Sequence, residues 1–269
     1  MTSFASRLDA AVLEVGSPLC VGLDPDLDRL PSHLKGAKGV VEFCIAITES
    51  CASLAAAFKP NLAFFEALGR DGWYVLEDVC AAVRSTGRLL VLDGKRGDIG
   101  NTGRKYAASQ FDVLEGDAAT VAPYMGSDSL LPFLEHRGRC AFALVATSNP
   151  GGADLQQLEV DSEPLYHRTA NLAARSGEHA QGEIGFVVGA TRPDVLSSLR
   201  ARHPAVPFLV PGVGAQGGSL DEVMVANANG PILINSSRSI IYASTGADFA
   251  EAAARAAQTL SSAIAKASV

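Results

Sequence analysis

Eight short apolar runs alternate along this chain with stretches of helical periodicity, and that alternation limits the fold more than any other feature. The runs fall at 19–23, 57–64, 89–93, 119–122, 140–147, 184–189, 207–211 and 232–235. Several are apolar without a break, as parallel strands covered on both faces are. Between the first two, Val40, Val41, Cys44, Ile47, Cys51 and Leu54 fall on one helical stripe, and Trp73, Leu76, Val79, Cys80 and Val83 repeat the pattern after the second. Trp73 reads as a packing residue. Residues 127–137 are expected to form a helix from a Ser or Asp cap, and 248–266 an Ala-rich closing helix. Phe4, Leu8, Val12 and Val15 mark a helix ahead of the first strand.

Two architectures satisfy eight strands alternating with helices: a closed (β/α)8 (TIM) barrel and a doubly wound open sheet. The strand ends favour the barrel. Asp24, Lys59 and Asn61, Asp93 and Lys95, Ser148 and Asn149, Thr191, Gln216, and Asn235 to Arg238 all follow apolar runs. In a barrel such ends converge on one mouth, where the βα loops build the active site. An open dinucleotide-binding sheet would concentrate function in a first Gly-rich turn, and Gly22-Leu23-Asp24-Pro25-Asp26 lacks that signature. No linker or low-complexity tract divides the 269 residues, a length that single α/β barrels routinely reach, so a single domain is expected.

Composition narrows the partners. The formal charge of -7 argues against a general nucleic-acid or anionic-membrane surface, while a few cations in one pocket can still hold a small anion. Cys20, Cys44, Cys51, Cys80 and Cys140 are odd in number, widely spaced and set mostly among apolar neighbours, as buried free thiols are. A reducing compartment fits this usage. Met1-Thr2-Ser3-Phe4 shows no basic region leading into an apolar run, so no signal peptide is expected, and no stretch has the length of a membrane helix. The expectation is a soluble, cytoplasmic protein.

The sharpest constellation is Leu92-Asp93-Gly94-Lys95-Arg96-Gly97-Asp98-Ile99. Asp93 and Lys95 are two apart at a strand end, so strand alternation puts both side chains on one side. Asp98 follows in the loop, and Lys59 ends the preceding strand. Four alternating charges in a low-dielectric pocket hold one another ionised, and assembling them is costly unless they are paired and hydrogen-bonded. A solvated loop with ordinary ion pairs is the plainer alternative, but the apolar lead-in and the second strand end weigh against it. After strand seven comes Pro211-Gly212-Val213-Gly214-Ala215-Gln216-Gly217-Gly218, and after strand eight Asn235-Ser236-Ser237-Arg238. Glycines let backbone N–H groups approach an anion, a guanidinium binds two phosphate oxygens, and barrels often hold phosphate at these two loops. Thr147-Ser148-Asn149-Pro150-Gly151-Gly152 offers groups that read a heterocycle edge, and Asp24 an acceptor for a sugar hydroxyl. The five histidines fall in helices or connecting loops with no metal-ligand spacing, so a catalytic zinc is not expected. A metal-dependent sugar-phosphate aldolase or decarboxylase, a silent phosphoribosyl-binding barrel and a Schiff-base aldolase all remain open on these residues. The intact Asp93, Lys95, Asp98 and Lys59 argue against the silent barrel, since a pure binder has no need of this charge array, and the Schiff-base aldolase is disfavoured because lysines flanked by carboxylates stay protonated.

Taken together, these motifs resemble the orotidine 5′-phosphate decarboxylase family, in particular its longer bacterial form. The resemblance runs over nearly the whole chain and adds Phe58-Lys59-Pro60-Asn61 and Val188-Gly189-Ala190-Thr191 to the segments above. It implies a barrel that dimerises across its active-site mouth, needs no metal or organic cofactor, and converts orotidine 5′-phosphate to UMP and carbon dioxide. It further implies that Lys95 is the proton donor and Asp93 the carboxylate facing the scissile group. Asp98 would come from the neighbouring subunit, with Ile99 and Thr102 also reaching the partner's site. Lys59 would complete the charged network and share the ribose with Asp24, Ser148 would read the pyrimidine, and Gln216 and Arg238 would hold the phosphate. Ser239, Ile240 and Ile241 separate Arg238 from Tyr242, a departure from the shorter members, so no role passes to Tyr242.

Overall fold

A computed structural model describes residues 2–213 and 217–267. Its barrel strands are β1 Leu19–Leu23, β2 Ala57–Pro60, β3 Leu89–Arg96, β4 Ala118–Val121, β5 Cys140–Ala146, β6 Glu183–Val188, β7 Phe208–Pro211 and β8 Ile232–Ser236. They pair in parallel in chain order, and β8 closes on β1 with Leu19 opposite Ile234. The expected closed (β/α)8 barrel is therefore observed, and the open sheet is excluded.

Alternation along each strand divides the core in two. Phe58, Leu90, Leu92 and Ala119 pack outward against the helices, whereas Ala57, Leu89, Val91, Ala118, Phe142 and Leu233 fill the barrel interior. Helix α1, Phe4–Val15, covers the base. Phe4 is fully buried, with its ring edge-on to Phe142 at 5.8 Å between centroids. The Glu183 carboxylate accepts the Phe4 and Ala5 N–H groups, so an acid caps the positive end of α1. Helices α2, Gly36–Cys51, and α3, Gly72–Ser85, carry most of the two stripes expected of them, with Leu54 falling beyond the end of α2. The closing helix, Phe249–Ala267, ends the described chain.

Three local expectations are corrected, and one element is new. The run at 57–64 is not one strand: β2 stops at Pro60, and Asn61 caps a short helix, Leu62–Glu66, by accepting from Ala63 N at 3.3 Å. Residues 127–137 are not one helix but a 3-10 turn, Ser127–Ser129, and a helical turn, Leu131–Leu134. Pro132 lacks the N–H that would continue the ladder, and its ring opposes a helical carbonyl four residues back. Trp73 is 41% exposed at the start of α3, so it is not a core residue. Between β5 and β6 the chain also forms a small antiparallel ribbon, Glu159–Val160 with Glu163–Pro164, which no periodicity announced.

Candidate active site

The strand parity that fills the interior with apolar side chains delivers the site. Two residues beyond Ala57, Val91, Ala118 and Leu233, the same inward positions are Lys59, Asp93, Thr120 and Asn235. These four buried polar residues line a cavity of about 440 Å³ at the C-terminal mouth, floored by Leu144, Val187 and Leu209. A barrel interior thus turns from hydrocarbon to charge within one layer.

Asp93 is the hub. Lys59 Nζ donates to its Oδ2 at 2.8 Å, Lys95 Nζ to its Oδ1 at 2.6 Å, and Thr120 Oγ1 to the same Oδ1 at 2.8 Å. Burial alone would raise the Asp93 carboxyl, but the two ammonium groups outweigh it and hold the group well below the usual carboxylate range. Burial would likewise lower Lys59, yet Asp93 and then Asp24 pull it well above its ordinary value. Asp93 and Lys59 are therefore ionised throughout the neutral range. Lys59 is locked, with a side chain 5% exposed, whereas that of Lys95 is 49% exposed and has donors left for whatever fills the cavity.

Asp93 and Lys95 meet as expected, but not through simple alternation. The register of β3 against β4 shifts between Leu92 and Arg96, and Lys95 has a left-handed backbone with φ +47°. A bulge turns the ammonium back over Asp93.

Of the other expected residues, Asp24, Ser148 and Arg238 line the same cavity. Asp24 Oδ1 is buried without a hydrogen-bond partner among the described residues, an acceptor placed for a hydroxyl. Ser148 follows β5 by two residues, where its carbonyl accepts from Thr191 Oγ1 at 3.2 Å, and a Cβ on Gly189 would lie 2.6 Å from its backbone N. Glycine is required there. Arg238 is exposed at the start of a short helix, Arg238–Ile241, directly after β8. Asp98 and Thr102 do not line the cavity of this chain. Asp98 is half-buried and accepts from Ile99 N at 2.8 Å, and Thr102 is exposed on α4, Gly100–Ala108. Gln216 lies outside the described residues. All five cysteines are buried and free, and burial pushes the Cys20, Cys51 and Cys80 thiols up to about 12. Among the described residues no three His, Cys, Asp or Glu side chains are grouped to hold a metal ion.

Three contributors escaped the sequence reading. Thr120 sat in plain view, on the inward parity of β4. Tyr242 Oη donates to Asp24 O at 2.8 Å and accepts from Asp26 N at 2.6 Å, pinning the turn that carries Asp24. Its ring stacks on Phe43 and lies under Arg29, and burial pushes its hydroxyl up to about 12. Gln156 clamps Thr147, beside Ser148, accepting from its N at 2.9 Å and donating to its Oγ1 at 2.9 Å. No local pattern signals the last two.

Comparison with known proteins gives the family and the fold. The model of the orotidine 5′-phosphate decarboxylase / HUMPS family matches residues 17–256. An orotidine 5′-phosphate decarboxylase of Herpetosiphon aurantiacus is 49% identical over 257 residues, covering 95% of both chains. One of Roseiflexus castenholzii is 47% identical over 267 residues, covering 97% of both. Among solved structures, an OMP decarboxylase of Leishmania donovani superposes with a TM-score of 0.84 at 40% identity, covering 98% of this chain and 100% of its own. Among the described residues no helix is long and apolar enough to cross a membrane.

Proposed function

Because the chain belongs to the orotidine 5′-phosphate decarboxylase / HUMPS family, we propose that it decarboxylates orotidine 5′-phosphate to UMP, the last step of de novo pyrimidine synthesis. The observation that carries this reading is a buried carboxylate held between two ammonium groups, one of which still faces an open cavity. Breaking the bond from C6 to the carboxylate leaves an electron pair on C6 with no conjugated sink. A fixed cation at that point lowers the energy of the developing carbanion, and its preorganisation by Asp93 means little reorganisation during reaction. Carbon dioxide departs neutral, Lys95 Nζ gives a proton to C6, and the resulting amine regains one from water. Asp93 faces the substrate carboxylate, a repulsion relieved as carbon dioxide forms.

The remaining residues anchor the parts of the nucleotide that do not react. Asp24, with its unmatched acceptor, and Lys59 take the ribose hydroxyls, Ser148 the pyrimidine edge, and Arg238 with Gln216 the phosphate. Binding energy from the phosphate, remote from C6, offsets the cost of setting a substrate carboxylate against Asp93. The chain's own residues supply every charge this route requires, so neither metal nor organic cofactor takes part. Asp98, Ile99 and Thr102 act on the partner's site in a homodimer that joins the two mouths. Ile99, Tyr124, Met125 and Leu131, all exposed and apolar, support such a surface on this side of the barrel.

The test is ultraviolet loss of orotidine 5′-phosphate with and without excess chelator, for the wild type and Lys95→Ala. We expect chelator-insensitive turnover by the wild type, and loss of at least about 10³-fold in kcat for the variant with an unchanged circular dichroism spectrum. Near-wild-type turnover by Lys95→Ala rules out the proton-donor role, and loss of activity in chelator rules out the cofactor-free route.

A further inference from the structure

We infer that Thr120 is a positioning residue for this chemistry: its one hydroxyl fixes both the Asp93 carboxylate and the Lys95 main chain, and so sets the line on which the ammonium meets the reacting carbon. The inference rests on the proposed decarboxylation for its functional meaning, and on the geometry of β3 and β4 for its substance.

The β3–β4 ladder pairs Val91 with Ala118 and Leu92 with Ala119, then resumes only at Arg96 with Val121. The chain takes four steps along β3 against two along β4, so the segment that bears the array is looped out. A bulge leaves backbone N–H groups without ladder acceptors, and a buried donor needs one. Thr120 Oγ1 supplies it, accepting from Lys95 N at 2.9 Å. The N–H can only donate, so the hydroxyl proton is free to go elsewhere, and it goes to Asp93 Oδ1 at 2.8 Å. That same Oδ1 receives Lys95 Nζ at 2.6 Å. The result is a closed ring: Lys95 main chain to Thr120, Thr120 to Asp93, Asp93 to the Lys95 side chain.

Two features make the ring matter. Lys95 has φ +47°, in the left-handed region that non-glycine residues adopt only when their surroundings enforce it. Thr120 is 1% exposed, so water has no ready access to replace its hydroxyl. Lys59 holds the other carboxylate oxygen, Oδ2, and cannot substitute for a bond to Oδ1 or to the Lys95 main chain. Without the hydroxyl, the bulge loses an acceptor and the carboxylate loses the neutral donor that orients its plane. The charges remain, but their aim does not.

The experiment compares Thr120→Val, which keeps the shape and deletes the hydroxyl, with Thr120→Ser, which keeps the hydroxyl. Steady-state kinetics with orotidine 5′-phosphate and crystal structures of both full-length variants are the readouts. We expect Thr120→Val to lose about 10- to 100-fold in kcat with KM within about threefold, and Thr120→Ser to stay within about threefold of wild type in both. In the crystal, Thr120→Val should show Lys95 out of the left-handed region or its Nζ off Asp93 Oδ1. Wild-type kcat in Thr120→Val, equal losses in the two variants, or an unmoved array in the Thr120→Val crystal would each overturn the inference. Should Thr120→Val not fold, Thr120→Ala removes the same hydroxyl and carries the same expectations. If the wild type itself fails to decarboxylate the substrate, the proposed function falls, while the crystallographic comparison still decides the role of Thr120.

Discussion

Asp93 and Lys59 couple the stability of the molecule to pH from opposite sides. The folded-state value of Asp93 is depressed, so its contribution is present above the unfolded carboxyl value of about 4 and is lost as pH falls toward the folded one. That of Lys59 is raised, so its contribution is complete below about 10.4 and disappears as pH climbs toward the folded value. Between those limits the pair stabilises steadily. Lys59→Met should cost about 3 kcal/mol in urea unfolding at pH 7, because it removes one partner from a buried carboxylate. The loss should shrink as pH falls toward 3, where protonation of Asp93 relieves a buried carboxylate that keeps only Lys95 and Thr120 as partners in the variant. A difference independent of pH would mean that packing, not charge, sets the cost. These two residues were legible in the sequence because each ends an apolar run on the inward parity. Thr120 has the same parity, but a lone threonine in a strand is too ordinary to stand out. Tyr242 was not legible: its contact with Asp24 joins positions 218 apart, and only the closed barrel brings them together.

The turn after β1 shows how a residue outside the cavity lining holds one that belongs to it. Tyr242 bonds to both sides of Pro25, accepting from Asp26 N and donating to Asp24 O. Tyr242→Phe keeps the stacked ring and deletes both bonds. The expected cost is about 1–3 kcal/mol of stability, read from the unfolding midpoint. KM for orotidine 5′-phosphate should rise more than kcat falls, since the loosened turn carries Asp24, the proposed ribose contact. A change confined to kcat would argue that Asp24 serves the chemical step instead. Eight strands were legible because each buries apolar residues on both faces, which leaves a run that no surface segment imitates. Their ends were less so. Asn61 stops β2 by capping the next helix, a competition between local hydrogen bonds that periodicity does not register. Pro132 broke an expected helix through a rule that was available and outweighed by the cap signal before it. The ribbon at 159–164 is too short to carry any period.

At the level of the whole molecule, the cavity contains Lys95 but not Asp98, although the two lie three positions apart in sequence. If each site borrows the partner's Asp98, inactive Lys95→Ala and Asp98→Ala chains should rescue one another. Mixed subunits would form one site with both residues intact, restoring on the order of a quarter of wild-type activity after refolding together. No rescue would place Asp98 in the site of its own chain or outside catalysis. The opposite end of the barrel has its own consequence. With Phe4 wedged beneath Phe142, the base is stoppered, and the mouth is left as the doorway. Whatever nucleotide enters must back out along the path it came in by, behind the gas it has shed. A compound lodged at the rim would then imprison the product as surely as it bars the next substrate.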